Sequence, residues 1–264
     1  KPVMEVKDGS IIFNHVNFKY KKDSKDMVLS DIQLDINSGE TIGIIGGTGS
    51  AKTSLVNLIS RLYDVTDGDI EVGGVDVRKY DLETLRNQVS VVLQKNVLFS
   101  GTILENLRWG NKEATEEECI RACRLACADE FIEKFPDGYN TYIEQGGTNV
   151  SGGQKQRSSI ARALMKDAPI LLLDDALSAV DTDTERQILD NLHRLRKGRT
   201  TIIVAHRIST IQDADHILVL DEGKVEEYGT HEELLNNGKL YASLYRKQQL
   251  EKELHEEGGA AHAE

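Results

Sequence analysis

The chain has 264 residues, of which 39% are hydrophobic, so it can bury a full core as one large domain or as a domain with an inserted subdomain. Its formal net charge of −12 argues against a nucleic-acid-binding surface, because such a surface needs clustered Lys and Arg. Apolar runs such as Ile170 to Leu173 are far shorter than the roughly 20 residues that cross a bilayer, and no signal peptide is recognisable.

Two stretches of alternating apolar and polar residues follow an N-terminal arm, residues 1–10, which we interpret as a linker. The stretches Ile11 to Tyr20 and Val28 to Ile36 predict antiparallel strands joined by a charged loop. Tyr20 ends the first of these strands. Its ring could stack on an adenine base, or it could be an ordinary half-buried strand tyrosine.

The central motif is a phosphate loop between a predicted strand, Thr41 to Ile45, and a predicted helix. A glycine turn there aims backbone N–H groups and the positive end of the helix dipole at one point, which suits nucleotide phosphates; a glycine turn before an ordinary helix is the alternative. Lys52 is expected to reach the phosphates and the Thr53 hydroxyl to bind Mg²⁺. Ala51 replaces the second glycine of the motif, and its methyl group is tolerable if this residue has helical dihedrals but could otherwise crowd the phosphate. The candidate nucleotide-binding residues of the loop are Gly46, Thr48, Gly49, Ser50, Ala51, Lys52, Thr53 and Ser54.

A polar residue ends the next buried strand. Gly73 and Gly74 predict a two-residue hairpin, a short helix starts at Leu82, and Val89 to Leu93 predicts a strand that Gln94 follows. Ligands bind at the carboxyl ends of the strands in α/β sheets. Gln94 is therefore expected to touch Mg²⁺ or the attacking water.

Helical patterns from Thr102 to about residue 160 predict an inserted helical subdomain. Cys119, Cys123 and Cys127 lie on one face of a helix in this segment. They could bind a metal ion, but small cysteines that fill a packed helix face are commoner. Such unpaired cysteines fit a reducing cytoplasm.

A second helix start with exposed N–H groups follows this segment. Ser151, Gly152 and Gly153 precede a helical run through Met165. These N–H groups and the serine hydroxyl could bind a second phosphate, whereas an N-capped helix is the simpler explanation of the pattern alone.

Carboxylate and imidazole side chains end two buried strands. The strand that starts at Ile170 ends in Asp174 and Asp175. Asp174 is expected to hold the Mg²⁺ shell, and Asp175 to orient or deprotonate a water molecule. The later strand from Thr200 delivers His206, which is expected to contact the γ-phosphate.

The remaining sequence predicts two strands, His216 to Leu220 and Val225 to Tyr228, then a helix capped by Thr230, and a C-terminal helix. Residues 251–264 are predicted to be the end of that helix and a flexible tail, with disorder from Gly258 onward.

These motifs, in this order, resemble the nucleotide-binding domain of an ATP-binding-cassette transporter over residues 10–250. The stretch Val150 to Gln154 is similar to the signature sequence of that family, and Phe99 to Asn106 resembles exporters rather than importers. The resemblance implies an α/β fold of the P-loop NTPase type over residues 11–250, with a mostly parallel sheet, an antiparallel β subdomain and the inserted helical subdomain. The nucleotide-binding residues that it implies are Tyr20, residues 46–54, Ser151, Gly152, Gly153, Gln154 and Asp181, with Thr53, Gln94 and Asp174 at Mg²⁺ and with Asp175, His206 and Gln94 in catalysis.

The resemblance also implies partners and a location. In that family two such domains pair head to tail, so Ser151, Gly152 and Gly153 would cap the γ-phosphate of an ATP held by a second nucleotide-binding domain. Residues 1–10 would link the domain to a preceding transmembrane domain of an exporter, on the cytoplasmic face of the cell membrane. The implied cofactors are ATP and Mg²⁺, and no nucleic-acid partner is expected.

Two positions depart from the pattern of the family. Asp175 stands where the family usually has a catalytic glutamate, and Ala51 where it usually has a glycine. The shorter side chain withdraws the carboxylate by roughly 1.5 Å, and misplacing a catalytic group by about 1 Å can cost on the order of 10²-fold in rate. We therefore expect slow turnover at this site and pairing with a different chain, as in a heterodimeric exporter. A non-hydrolysing regulatory half and a homodimeric cassette ATPase are the alternatives; a cassette ATPase acting on chromosomes or ribosomes is disfavoured, because the chain has one cassette and no heptads.

Overall fold

The computed structural model describes residues 1–47, 51–95 and 97–261. Its strands are, in chain order, β1 (Ile11–Phe18), β2 (Leu29–Ile36), β3 (Thr41–Gly46), β4 (Asp67–Val72), β5 (Val75–Asp76), β6 (Val89–Val92), β7 (Gly101–Thr102), β8 (Tyr142–Ile143), β9 (Ile170–Asp174), β10 (Thr200–Val204), β11 (His216–Asp221) and β12 (Lys224–Gly229). Its helices are α1 (Ala51–Ile59), α2 (Leu82–Gln88), α3 (Ile103–Arg108), α4 (Glu116–Leu125), α5 (Asp129–Ile132), α6 (Gly152–Leu164), α7 (Thr182–Leu195), α8 (Ile208–Ile211), α9 (His231–Asn237) and α10 (Leu240–Ala261).

The larger sheet has the strand order β12-β11-β3-β10-β9-β6. Its strand pairs are parallel except for the pair of β11 and β12. Every residue of β9 and β10 is buried, because both faces of the sheet are covered. Continuous apolar runs, rather than alternation, therefore mark these central strands in the sequence.

The two faces of the larger sheet carry two separate apolar clusters. Leu171 and Leu173 of β9 belong to the cluster under the helical subdomain, whereas Ile170 and Leu172 belong to the cluster shared with the second sheet. This division follows from the strand geometry, since successive side chains point to opposite faces. The larger sheet is thus the middle layer of the fold, and its strand ends position the side chains described below.

The smaller sheet is antiparallel, with the order β2-β1-β4-β5. Buried and exposed residues alternate along most of β2, as the sequence pattern predicts. Gly73 and Gly74 adopt φ angles of 60° and 80°, which the tight β4–β5 turn requires and which glycine adopts most easily. The predicted antiparallel β subdomain is therefore confirmed.

The helical subdomain consists of α3, α4 and α5: α3 and α4 pack against α6 and against each other, and α5 packs against α4. A short antiparallel pair, β7 with β8, closes it; two-residue strands leave no periodic signal, so the sequence did not predict them. The three cysteines are free and buried here, and burial raises the pKa of Cys127 to about 11. Protonated thiols of this kind pack as small apolar groups. Within the described ranges, no group of three or more His, Cys, Asp and Glu residues is arranged to hold a metal ion.

Both ends of the described chain have more structure than the sequence indicated. The expected linker, residues 1–10, lies against the domain: Val3 N donates to Lys79 O at 2.8 Å, and Val6 is buried. The helix α10 continues through Gly258 to Ala261, where a disordered tail was expected. The strong helix formers Leu, Glu and Lys between residues 250 and 257 favour this continuation. Of the described helices, including α10, none combines the length and apolar character needed to cross a membrane.

Candidate active site

The predicted phosphate-loop lysine lies in a buried position at the start of α1. Lys52 is 5% exposed, and its Nζ donates a hydrogen bond to Gly47 O at 2.7 Å. Burial lowers the pKa of Lys52, while the nearby carboxylates of Asp175 and Asp174 act in the opposite direction. Ala51 is the first residue of the helix, so the condition that we set for its methyl group is met. The predicted nucleotide-binding residues Thr48, Gly49 and Ser50 lie outside the described residues.

Two oxygen-bearing side chains meet between α1 and the end of β9. Thr53 Oγ1 donates to Asp174 Oδ2 at 2.9 Å. Asp174 is 6% exposed; burial raises its pKa, and the hydrogen bond from Thr53 opposes that shift. A hydroxyl and a carboxylate in contact are the kind of hard oxygen ligands that Mg²⁺ prefers. Gln94 is exposed at the same edge, just after β6, the strand that pairs with β9.

Asp175 and His206 face each other across the ends of β9 and β10. The distance between His206 Nε2 and Asp175 Oδ2 is 2.8 Å. The Asp175 backbone has a φ of 56° and its N–H donates to Val204 O at 3.0 Å, which turns the chain sharply after the strand. Aspartate is among the non-glycine residues that adopt this left-handed conformation most readily. Both side chains line a cavity of about 210 Å³ at the sheet edge.

The second helix start is built as a complete capping box. Ser151 Oγ accepts from Gln154 N at 3.2 Å, and Gln154 Oε1 accepts from Ser151 N at 3.0 Å. Ser151 and Gly152 are exposed, so the start of α6 is open to solvent. At Gly153 a Cβ would lie 2.8 Å from Ala179 O, which explains the need for glycine at this contact.

Asp181 caps the next helix, α7. Its Oδ1 accepts from Thr184 N at 2.9 Å, and the hydrogen bonds from Thr184 lower the pKa of Asp181. The N-cap function accounts for this residue in the isolated chain.

Tyr20 lies beside the phosphate-loop helix. Its hydroxyl is hydrogen-bonded to Ser54 Oγ, and the residue is 46% exposed. The ring meets Tyr63 edge-on, with centroids 5.1 Å apart, and Phe18 at 4.8 Å. The exposed aromatic surface is next to the site, so stacking on a base is sterically open to it.

The structure brings some of the predicted residues together and keeps others apart. Lys52, Thr53, Asp174, Asp175 and His206 form one charged cluster at the edge where the parallel strands end. Ser151 and Gln154 instead bond to each other, on a helix start outside that cluster.

Gln156 links these two regions, and the sequence did not point to it. It is 4% exposed; its Nε2 donates to Ser178 Oγ at 2.9 Å and its Oε1 accepts from Ala179 N at 2.8 Å. A helical glutamine carries no distinguishing pattern, and only its place five residues after Ser151 could have drawn attention to it.

Known proteins are similar to this chain in sequence and in fold. Residues 29–178 match the family described as ABC transporter. The chain is 48% identical over 241 residues to the ATP-dependent lipid A-core flippase of Alkalilimnicola ehrlichii, covering 91% of this chain and 41% of the flippase. It is 47% identical over 242 residues to YgaD of Bacillus subtilis (strain 168), provisionally named a multidrug export ATP-binding/permease protein, covering 92% of this chain and 42% of YgaD.

A solved structure of a bacterial Atm1-family ABC exporter with ATP bound superimposes with a TM-score of 0.89 and 38% identity, over 94% of this chain and 43% of that one. The chain thus spans about two fifths of the length of these proteins. The expected P-loop fold of the ABC type is confirmed. The chain belongs to the ABC transporter family and is an ATP-binding, ABC-type ATPase domain of the exporter kind.

Proposed function

We propose that the chain binds Mg-ATP at its own phosphate loop and, paired head to tail with a second ATP-binding domain, powers export across a membrane. The observation that carries the proposal is the Asp175–His206 pair, 2.8 Å apart, beside the Thr53–Asp174 pair at the same sheet edge. A proton acceptor and oxygen ligands so arranged suit in-line attack of water on a terminal phosphate. The similarity to an ATP-dependent flippase and to exporters supports the transport part.

Each residue of the site has a distinct proposed role. The ammonium of Lys52 binds the β- and γ-phosphates, and the oxygens of Thr53 and Asp174 hold Mg²⁺, with Gln94 nearby at the open edge. When bound, Mg²⁺ neutralises charge that develops on the phosphate oxygens. Asp175 accepts a proton from the attacking water, and the His206 imidazole contacts the γ-phosphate.

The second helix start serves the partner's nucleotide rather than the chain's own. Ser151 and Gly152 are exposed, and the capping box fixes the start of α6 by occupying the N–H groups of Ser151 and Gln154. An exposed helix N-terminus of this kind attracts a phosphate carried by a facing molecule. Gly153 and Gln154 belong to the same surface, and Asp181, at the start of α7, completes the proposed composite site.

The chain's own site is proposed to be slow, because Asp175 is one methylene shorter than glutamate. Its backbone is held by the hydrogen bond from Asp175 N to Val204 O, so the main chain has little freedom to bring the carboxylate forward. This favours a heterodimeric exporter with one degenerate site. The same observation keeps a non-hydrolysing regulatory half as the second candidate function.

A groove between the sheet edge and the helical subdomain is the proposed contact with the membrane domain. Its cavity is about 450 Å³, and Phe99 and Trp109, which line it, are 42% and 62% exposed. Arg162 lies over the Phe99 ring, 5.8 Å from the centroid. Gln94 is close in sequence to this groove, so a change at the nucleotide can be passed to helices docked there. Docking of membrane helices in this groove would place the chain beside the membrane, and we propose that it lies on the cytoplasmic face.

The experiment that tests the two-site proposal compares Lys52→Ala with Ser151→Arg in the purified chain. A fluorescent ATP analogue is titrated into each variant, with Lys79→Ala as an exposed control. We expect Lys52→Ala to lose affinity and Ser151→Arg to keep it, since Ser151 serves the partner's nucleotide. Unchanged affinity in Lys52→Ala, or loss in Ser151→Arg without unfolding, contradicts the assignment.

A further inference from the structure

The segment that carries His206 has little regular structure of its own. His206 follows β10, and the next helix, α8, has only four residues, with Arg207 at its N-cap making no side-chain capping hydrogen bond. The His206 side chain is 64% exposed, so packing does not hold it. The position of the imidazole therefore depends on its hydrogen bond to Asp175 and on the backbone from which it projects.

Gln248 of α10 bonds this backbone on both sides of Arg207. Its Oε1 accepts from Ile208 N at 2.8 Å, and its Nε2 donates to His206 O at 2.8 Å. Each amide atom thus has the partner that its chemistry requires. The first N–H of α8, which the helix itself leaves unsatisfied, is also paired in this way.

The helix α10 is fixed to the domain up to this residue. Tyr241 is fully buried, and its N–H donates to Glu227 Oε2 at 2.9 Å, which ties the first turn of α10 to β12. From Gln249 to Gly259 every residue is exposed. Gln248 is therefore the end of the attached part of α10, on a rigid helix that is anchored two turns earlier.

We propose that Gln248 is a positioning residue for His206, which it holds by fixing the peptide groups on either side of Arg207. The inference rests on the proposed role of His206 at the γ-phosphate. The hydrogen bonds reach from the C-terminal helix to the nucleotide site, 42 residues apart in sequence. Turnover at this site thereby depends on the attachment of α10.

The test compares two substitutions of nearly equal size. Gln248→Leu removes both hydrogen bonds, whereas Gln248→Glu keeps the acceptor for Ile208 N and loses the donor to His206. Gln249→Leu, at the adjacent exposed position, is the control. The kcat and KM for Mg-ATP are measured with the purified chain, both native and carrying Asp175→Glu, so that a slow native site still yields a rate.

We expect kcat to fall about tenfold in Gln248→Leu and by less in Gln248→Glu, because a catalytic group displaced by about 1 Å loses up to 10²-fold in rate. KM and nucleotide affinity should stay as in the Gln249→Leu control, while the thermal unfolding midpoint falls modestly because Ile208 N loses its acceptor. A drop in the midpoint with unchanged kcat in the surviving folded protein would show a structural role only, and would overturn the proposal.

His206→Ala separates failure of this inference from failure of the proposed function. If Gln248 acts through His206, Gln248→Leu causes no further loss of kcat in a His206→Ala background, whereas an independent role gives additive losses. If His206→Ala lowers kcat but Gln248→Leu does not, the positioning role is wrong and the proposed function stands. If His206→Ala leaves kcat unchanged, the proposed role of His206 is wrong and the inference fails with it.

Discussion

Ala179 N donates a hydrogen bond to Gln156 Oε1 at 2.8 Å, which joins helix α6 to the loop that follows Asp175. Gln156 also donates to Ser178 Oγ at 2.9 Å, and its side chain is 4% exposed. The start of α6, proposed to face the partner's nucleotide, is in this way connected to the loop that leaves the chain's own site. In the proposed dimer, this link would join the surface that faces the partner's nucleotide to the loop that leaves the chain's own site.

Gln156→Leu is expected to destabilise the domain and to uncouple this link. The substitution removes the hydrogen bonds from Ala179 N and to Ser178 Oγ, which are partly buried, and each such bond contributes about 0.5–1.5 kcal/mol. Urea unfolding measures the loss, with Gln187→Leu on the exposed face of α7 as the control. An unchanged free energy of unfolding in Gln156→Leu would mean that water replaces the amide and that the contact does not stabilise the fold.

Asp174→Asn is expected to stabilise the fold near pH 7 while removing Mg²⁺-dependent turnover. Burial raises the pKa of Asp174 in the folded state. A carboxyl whose pKa is raised on folding favours the native state when protonated, and that contribution is lost as pH rises from the unfolded value, about 3.9, through the folded one. The neutral amide avoids this loss and can still accept the hydrogen bond from Thr53.

The measurement is the free energy of unfolding of both proteins from pH 7 down to about pH 4. The gain in Asp174→Asn should shrink as the pH falls, because the native carboxyl becomes protonated. A variant that is less stable than the native chain at pH 7 would contradict this, and would show that the nearby Lys52 outweighs burial.

Tyr20→Phe and Tyr20→Ala distinguish stacking on adenine from a purely structural tyrosine. Phenylalanine loses the hydrogen bond to Ser54 but keeps the ring. Because the ring is the group that would stack on adenine, the ATP affinity of Tyr20→Phe should stay near the native value. Alanine removes the ring, and stacking of a base on an aromatic side chain contributes about 1–3 kcal/mol. We expect a loss of about tenfold in affinity for a fluorescent ATP analogue; equal affinities in both variants would favour the structural alternative.

Features that are determined by consecutive residues were predicted well from the sequence. The apolar run of β9 with its terminal aspartates, the glycine loop before α1 and the Gly73–Gly74 turn each carry their own signal in consecutive residues. Parallel strands that are buried on both faces are continuously apolar. The ends of these strands, and the polar residues that follow them, can therefore be located from the sequence alone.

Contacts between distant segments could not be predicted in the same way. Gln156 and Gln248 are ordinary helical glutamines in the sequence, and their importance comes from which backbone groups lie opposite them in the fold. The attachment of residues 1–10 to the domain likewise depends on the backbone of Lys79 and Asp81, just before α2 and far along the chain. The short antiparallel pair β7–β8 joins residues about 40 positions apart and has no periodicity to detect.

The central claim is that Asp175 makes this chain's own site slow, and steady-state Mg-ATP hydrolysis by the native chain and by Asp175→Glu tests it most directly. Nucleotide binding is checked in both proteins, so that a change in rate is not a change in affinity. We predict that the native chain binds ATP and turns over well below about 1 s⁻¹, the low end of ordinary enzymes, and that the glutamate variant is faster. Native turnover at or above about 1 s⁻¹, with no gain from glutamate, would contradict the claim and favour a homodimer with two competent sites.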